Sequence, residues 1–147
     1  MTPNLPIVSS RLFPVSPEEL YAAFADPDRL ALWWGPKDFR NTIREFDLRP
    51  GGKWLLTMHG PNGADYPNEK EFLEVIPGRK VSFHHVQPMH DFTMTLDFTP
   101  ESGSTRLTWT MQFVNSPEEK LRAFILNANE ENFDRLAAHL QPHPSQP

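Results

Sequence analysis

Cysteine is absent from the 147 residues of this sequence. That removes disulfides, thiolate nucleophiles and Cys-ligated zinc together, and leaves no mark of an oxidising compartment. Basic residues are in the minority, 14 Lys and Arg against 19 Asp and Glu, for a net charge of −5. A surface that tracks phosphate needs clustered cations, so nucleic acid and anionic membranes are poor partners. No apolar run approaches the ~20 residues of a membrane span. The opening Met-Thr-Pro-Asn-Leu-Pro lacks a basic region followed by an apolar one, so no secretory leader is read and the cytoplasm is expected by elimination. Nothing matches a dinucleotide fingerprint or a Ser-nucleophile motif, and the sequence implies no cofactor.

What is present is a single-domain length, 38% hydrophobic residues and a surplus of rings, with 11 Phe and 4 Trp. Rings of that number fill a wide interior or line an apolar pocket. The 16 prolines are spread along the chain and divide it into short elements. They cluster only in residues 141–147, which read as a disordered Pro-rich tail.

Residues 5–13 alternate weakly and predict a first strand. Ser16-Pro17-Glu18-Glu19 is a helix start: Ser caps, Pro takes the first helical position, and the acids favour the positive end of the dipole. Asp26-Pro27-Asp28 restarts a second short helix that carries Trp33 and Trp34. Residues 42–48 form a strand with Arg44, Phe46 and Leu48 on one face and Ile43, Glu45 and Asp47 on the other. Pro50-Gly51-Gly52 turns the chain into a strand over 53–59. Pro61-Asn62-Gly63 is a turn, and strands follow over 69–76 and 80–87, the second with Val81, Phe83 and His85 on one face. Pro88-Met89-His90 turns again. Phe92, Met94, Leu96 and Phe98 then share a face over 91–99, as do Leu107, Trp109, Met111 and Phe113. These two runs carry the strongest period of two in the chain.

Ser116-Pro117-Glu118-Glu119 repeats the helix-start chemistry and predicts a helix to about residue 140. Leu121, Ile125, Phe133, Leu136 and Leu140 fall on one broad side of it, interrupted by Asn129 and Asn132. The order predicts an α+β fold. A curved antiparallel sheet of six or seven strands wraps the long C-terminal helix, with two short helices after strand 1.

Six stretches, in order, resemble the START-like (SRPBCC, helix-grip) superfamily. Within it they resemble bacterial homologues of the heat-shock-protein ATPase activator, the Aha-type family. They are residues 13–24, Asp26-Pro27 with Trp33-Trp34-Gly35-Pro36, residues 47–54, residues 74–81, Thr105-Arg106-Leu107-Thr108-Trp109 and residues 132–140. The resemblance implies one such domain over residues 5–140, with a cavity between sheet and helix. It implies no single activity, since the superfamily includes lipid carriers, polyketide cyclases, receptors and co-chaperone domains. Many relatives carry Gly-Trp where this chain has Ala128-Asn129, so their pocket size does not transfer.

The expected ligand-binding residues are Trp33, Trp34, Phe46, Trp54, Phe83, His85, Phe92, Met94, Trp109, Met111, Ile125, Asn129 and Asn132. The rings and methionines would form an apolar wall. Asn129 and Asn132 would either hold a ligand's polar end or bond the protein's own backbone, since a buried amide needs partners. Trp33 and Trp34 would either stack on a ligand or seal one end of the cavity. For acid–base chemistry the candidates are His85, Glu74, Glu45 and Glu131, with Glu74 drawn inward beside Phe72 and Ile76 and requiring a donor such as Arg44. Catalytic residues stay unknown. A zinc set of His59, His85 and Glu71 lacks ligand spacing, and no metal is expected.

The leading expectation is a binding domain for a small hydrophobic or amphipathic ligand of lipid, aromatic or polyketide-like type. The alternatives are a cyclase- or hydrolase-like enzyme using pocket His and Glu, and a co-chaperone-like stimulator of a heat-shock ATPase acting through its surface. A homodimer is compatible with all three.

Overall fold

A computed structural model describes residues 5–85 and 91–140. Seven strands form one antiparallel sheet in the order β1-β7-β6-β5-β4-β3-β2. They are β1 (Ile7–Phe13), β2 (Arg40–Phe46), β3 (Lys53–His59), β4 (Asp65–Ile76), β5 (Lys80–His85), β6 (Phe92–Glu101) and β7 (Ser104–Phe113). Helices α1 (Pro17–Ala25) and α2 (Pro27–Trp33) follow β1, and α3 (Glu119–Leu140) ends the described chain. The architecture is the expected α+β helix-grip, with seven strands.

The helix starts at Ser16 and Asp26 form for the reasons legible in the sequence. Ser16 Oγ accepts from the Glu19 amide at 3.1 Å and Asp26 Oδ1 from the Asp28 amide at 3.0 Å. Each cap satisfies an amide that the first helical turn leaves free. Ser16→Ala is expected to lower the unfolding free energy by about 1 kcal/mol, read from urea denaturation. The third start differs. Helix α3 begins at Glu119, and Arg122 N–H donates to the Glu118 carbonyl, so Ser116-Pro117 lies before the helix instead of capping it.

Two bulges correct the strand faces. The β2–β3 register slips between Ile43 and Glu45, which turns Ile43 and Phe46 to the core together and leaves Arg44 and Glu45 exposed. The β4–β5 register slips between Phe72 and Glu74. Val75, not Glu74, then follows Phe72 inward, and Glu74 is exposed against Lys80 at 3.0 Å. A bulge adds one residue to one strand, so strict alternation fails beyond it. β4 also starts four residues earlier than the expected residue 69, at Asp65, and Pro67 pairs with Thr57 within it. The expected turn at residues 88–90, the end of the strand read to 87 and the tail at 141–147 lie outside the described residues.

Glycine is required at two places. A Cβ on Gly52 would stand 1.9 Å from the Asp47 carbonyl oxygen. Gly35 has φ +97° and its Cβ would come within 2.7 Å of Met58 Cε. The Gly52 contact is a backbone approach that only hydrogen permits, whereas Met58 Cε ends a flexible side chain and it is the positive φ that favours glycine at Gly35.

The inner face of the sheet buries Trp54, Leu56, Phe72, Val81, Phe83, Leu96, Leu107 and Trp109 almost completely. Phe133 and Leu136 of α3 pack onto it, Phe133 edge-on to Trp109 and Phe13 with ring centres 4.7 and 6.0 Å away. The N-terminal half of α3 is looser, and Phe124 is 67% exposed.

Candidate functional site

The sheet register places the site. Residues directly opposite in adjacent strands share a face. Trp54 lies opposite Lys70, Lys70 opposite His85, His85 opposite Phe92, and Phe92 opposite Phe113. One step along the strands, Phe72, Phe83, Met94 and Met111 form a parallel row. The two rows face α3, and between them and the helix lies a cavity of about 150 Å³. Its walls are Trp34, Met58, Phe83, Phe92, Met94, Trp109 and Met111, with Asn68, Lys70, His85, Asn129 and Asn132 as the polar members. Gly35, Pro36 and Ala128 complete it.

Nine of the expected residues line this cavity: Trp34, Phe83, His85, Phe92, Met94, Trp109, Met111, Asn129 and Asn132. Four do not. Trp33 is core, its indole N–H donating to the Ala23 carbonyl at 3.0 Å. Trp54 and Phe46 pack behind the wall with ring centres 5.7 Å apart. Ile125 is half-buried on α3 outside the cavity. Consecutive Trp33 and Trp34 thus divide their work, one sealing the core and the other facing the cavity against Trp54, Phe83 and Trp109.

The two asparagines also divide. Asn132 Nδ2 donates to the Trp33 carbonyl at 2.7 Å and its Oδ1 accepts from the Gly35 amide at 3.0 Å. It clamps the α2–β2 loop to α3. Arg135 reinforces that clamp, donating to the carbonyls of Leu32, Trp34, Gly35 and Pro36. Burial lowers the Arg135 pKa, with Asp38 opposing. Asn132→Ala would strand a buried carbonyl and a buried amide, so a loss of about 2–3 kcal/mol in urea denaturation is expected. Asn129 Nδ2 instead donates to Ser9 Oγ at 3.2 Å and Met111 Sδ at 3.6 Å.

The residue that the sequence reading missed is Lys70. It is 3% exposed, and burial pulls its pKa from 10.5 to about 7. Its Nζ donates to Asn68 Oδ1 at 3.0 Å and sits 5.0 and 5.8 Å from the ring centres of Trp54 and Phe83. Among the described residues no Asp or Glu lines the cavity. The period-two pattern contained the signal, because Lys70 precedes Phe72 by two positions. His85 is 8% exposed and stacks on Phe92 with planes 17° apart.

The carboxylate candidates lie elsewhere. Glu45 and Glu74 are exposed, and Glu131 accepts from the Lys37 amide on the surface. Glu71 lies opposite His84, so it faces away from His85. His59 is engaged by Asp65 and Thr42 at 2.8 and 2.7 Å, and His84 by Asp91 at 2.5 Å. The set His59, His85 and Glu71 is therefore not assembled. A larger cleft of about 520 Å³ lies between the start of α1 and the β4–β5 turn. Most of its walls, including Glu18, Ile76, Arg79 and Pro100, are exposed, which marks a surface groove with no interior donor set.

A seven-stranded sheet gripping a C-terminal helix, with a cavity between them, is a fold of the ligand-binding type. The family described as "Activator of Hsp90 ATPase homolog 1-like protein" matches residues 14–141, and the chain belongs to it. Solved structures agree in fold. A protein from Nitrosomonas europaea aligns with TM-score 0.84 and 23% identity, covering 95% of this chain and 96% of that one. One from Chromobacterium violaceum gives 0.82 and 25%, covering 96% and 99%. The AHSA1 protein from Silicibacter pomeroyi gives 0.77 and 22%, covering 92% and 96%. No curated protein matches the chain significantly. Among the described residues no helix is long and apolar enough to cross a membrane.

Proposed function

We propose that this protein, acting in the cytoplasm, binds one small, flat, largely apolar molecule in the cavity between the sheet and α3. The carrying observation is the cavity itself, walled by aromatic rings and methionines and fitted with a few converging polar groups. Its size narrows the ligand class. A cavity of roughly 150 Å³ takes one benzene-sized ring, so an aromatic compound fits better than a long acyl chain or a multi-ring polyketide. Methionine suits this task, because its flexible thioether adapts to irregular ligands and packs favourably on rings.

The enzyme alternative draws less support. His85 faces the cavity, but Glu74, its expected companion, is on the outer surface against Lys80. Thermal shift and native mass spectrometry against single-ring aromatics and against fatty acids test the proposal. Single-ring compounds are expected to raise the melting temperature and appear at one per chain, and long-chain acids to do neither. Binding of long-chain acids alone would refute it.

A further inference from the structure

We infer that Lys70 is a ligand anchor and that the molecule bound in the cavity is a small aromatic acid, its carboxylate lying against the Lys70 ammonium. The inference rests on the reading of the cavity as a single-ring site and names the chemistry of the ring's polar end.

Four observations carry it. Lys70 is buried from water and is one of the residues that line the cavity. An ammonium has three N–H donors, and the hydrogen bond described for this one goes to the Asn68 amide oxygen at 3.0 Å. No ion pair forms with Lys70 among the described residues, although Lys53, Lys80, Arg11, Arg49 and Arg106 all have carboxylate partners. The groups facing it from neighbouring elements are Trp54 on β3, His85 on β5, and Asn129 and Asn132 on α3, none of them an anion. Buried charges are ordinarily paired or made neutral. A ligand carboxylate would complete the pair. His85, opposite Lys70, would offer a second polar contact, while Trp34, Trp109, Met94 and Met111 enclose the ring.

The pairing predicts a proton event. Without ligand the amine is largely neutral above pH 7 because burial lowers its pKa to about 7. A carboxylate beside it favours the charged form and restores a proton. Calorimetric titration of the full chain at pH 8.5 with benzoate, in two buffers of different ionisation enthalpy, is expected to show uptake approaching one proton per molecule bound. Benzoate is expected to bind at least about tenfold tighter than benzamide, as a hydrogen bond to a charged group implies. In Lys70→Met and Lys70→Gln, with folding verified by circular dichroism, that preference should fall to about one and the proton uptake should vanish.

Equal binding of benzoate and benzamide without proton uptake would overturn the anchor while leaving the single-ring cavity standing. Acid preference that survives both Lys70 variants but disappears in His85→Gln would also overturn it. If neither benzoate, benzamide nor toluene binds, the inference and the cavity reading fall together.

Discussion

Lys70→Met is expected to stabilise the protein near neutral pH, which is unusual for removal of a charged residue. The folded-state pKa of about 7 lies below the ordinary lysine value of 10.5. Below pH 7 the side chain is charged in both states, and the cost of burying it is present in full. Between 7 and 10.5 the unfolded chain holds the proton and the folded chain does not, so stability rises with pH. Above 10.5 the cost is gone. The gap corresponds to an upper bound of about 5 kcal/mol. The cation–π contacts to Trp54 and Phe83 disappear with the ammonium and offset part of the gain. We expect Lys70→Met to gain about 2–4 kcal/mol at pH 6–7, narrowing toward zero near pH 10.5, in urea denaturation across that range. A variant destabilised at pH 6.5 would show that the ammonium is well solvated or paired. The apparent defect has a functional sense: a poorly solvated cation is held ready for an anionic partner, and stability is given up for binding.

The opposite expectation attaches to Trp54→Ala. Trp54 is fully buried at the centre of the aromatic cluster. Its ring centre lies 4.9 Å from Trp34, 5.3 Å from Phe83 and 5.6 Å from Phe24, and it stacks nearly parallel on Phe72 at 6.1 Å. Truncation removes the transfer energy of the largest side chain and opens a void that neighbouring rings cannot close, so a loss of about 4–5 kcal/mol is expected. That is a large part of the 5–15 kcal/mol of a typical domain. Trp54→Phe should cost far less, because it keeps an aromatic ring in place and the buried indole N–H has no hydrogen-bond partner among the described residues. Urea denaturation of both variants checks this. A loss below about 1 kcal/mol for Trp54→Ala would mean that the ring is peripheral.

The legible parts of the fold were those with strong local patterns. Residues 92–98 and 107–113 show alternation that only a half-buried strand satisfies, and Ser16-Pro17 and Asp26-Pro27 carry caps whose acceptors reach the expected amides. The cavity residues on those strands were legible for the same reason. What stayed hidden came from outside the local pattern. The bulges at 43–45 and 72–74 shift the facing of every residue beyond them, which is why Glu74 was placed inward. Lys70 was passed over because lysine belongs to the surface by its hydration, although Phe72 two positions later marked the same face. The split between Asn129 and Asn132 depends on which partner each meets across the fold, a fact that helical spacing does not contain.

The proposed function requires that the cavity between the sheet and α3 receive one aromatic ring. Three of the five methionines, Met58, Met94 and Met111, line it and serve as native reporters. Methyl NMR of ¹³C-methionine-labelled protein, titrated with benzoate, reads them directly. These three methyl resonances are expected to move together, saturably, with the upfield ring-current shifts of an aromatic ring held against them. Unmoved resonances at all three while benzoate demonstrably binds would place the ligand elsewhere and contradict it.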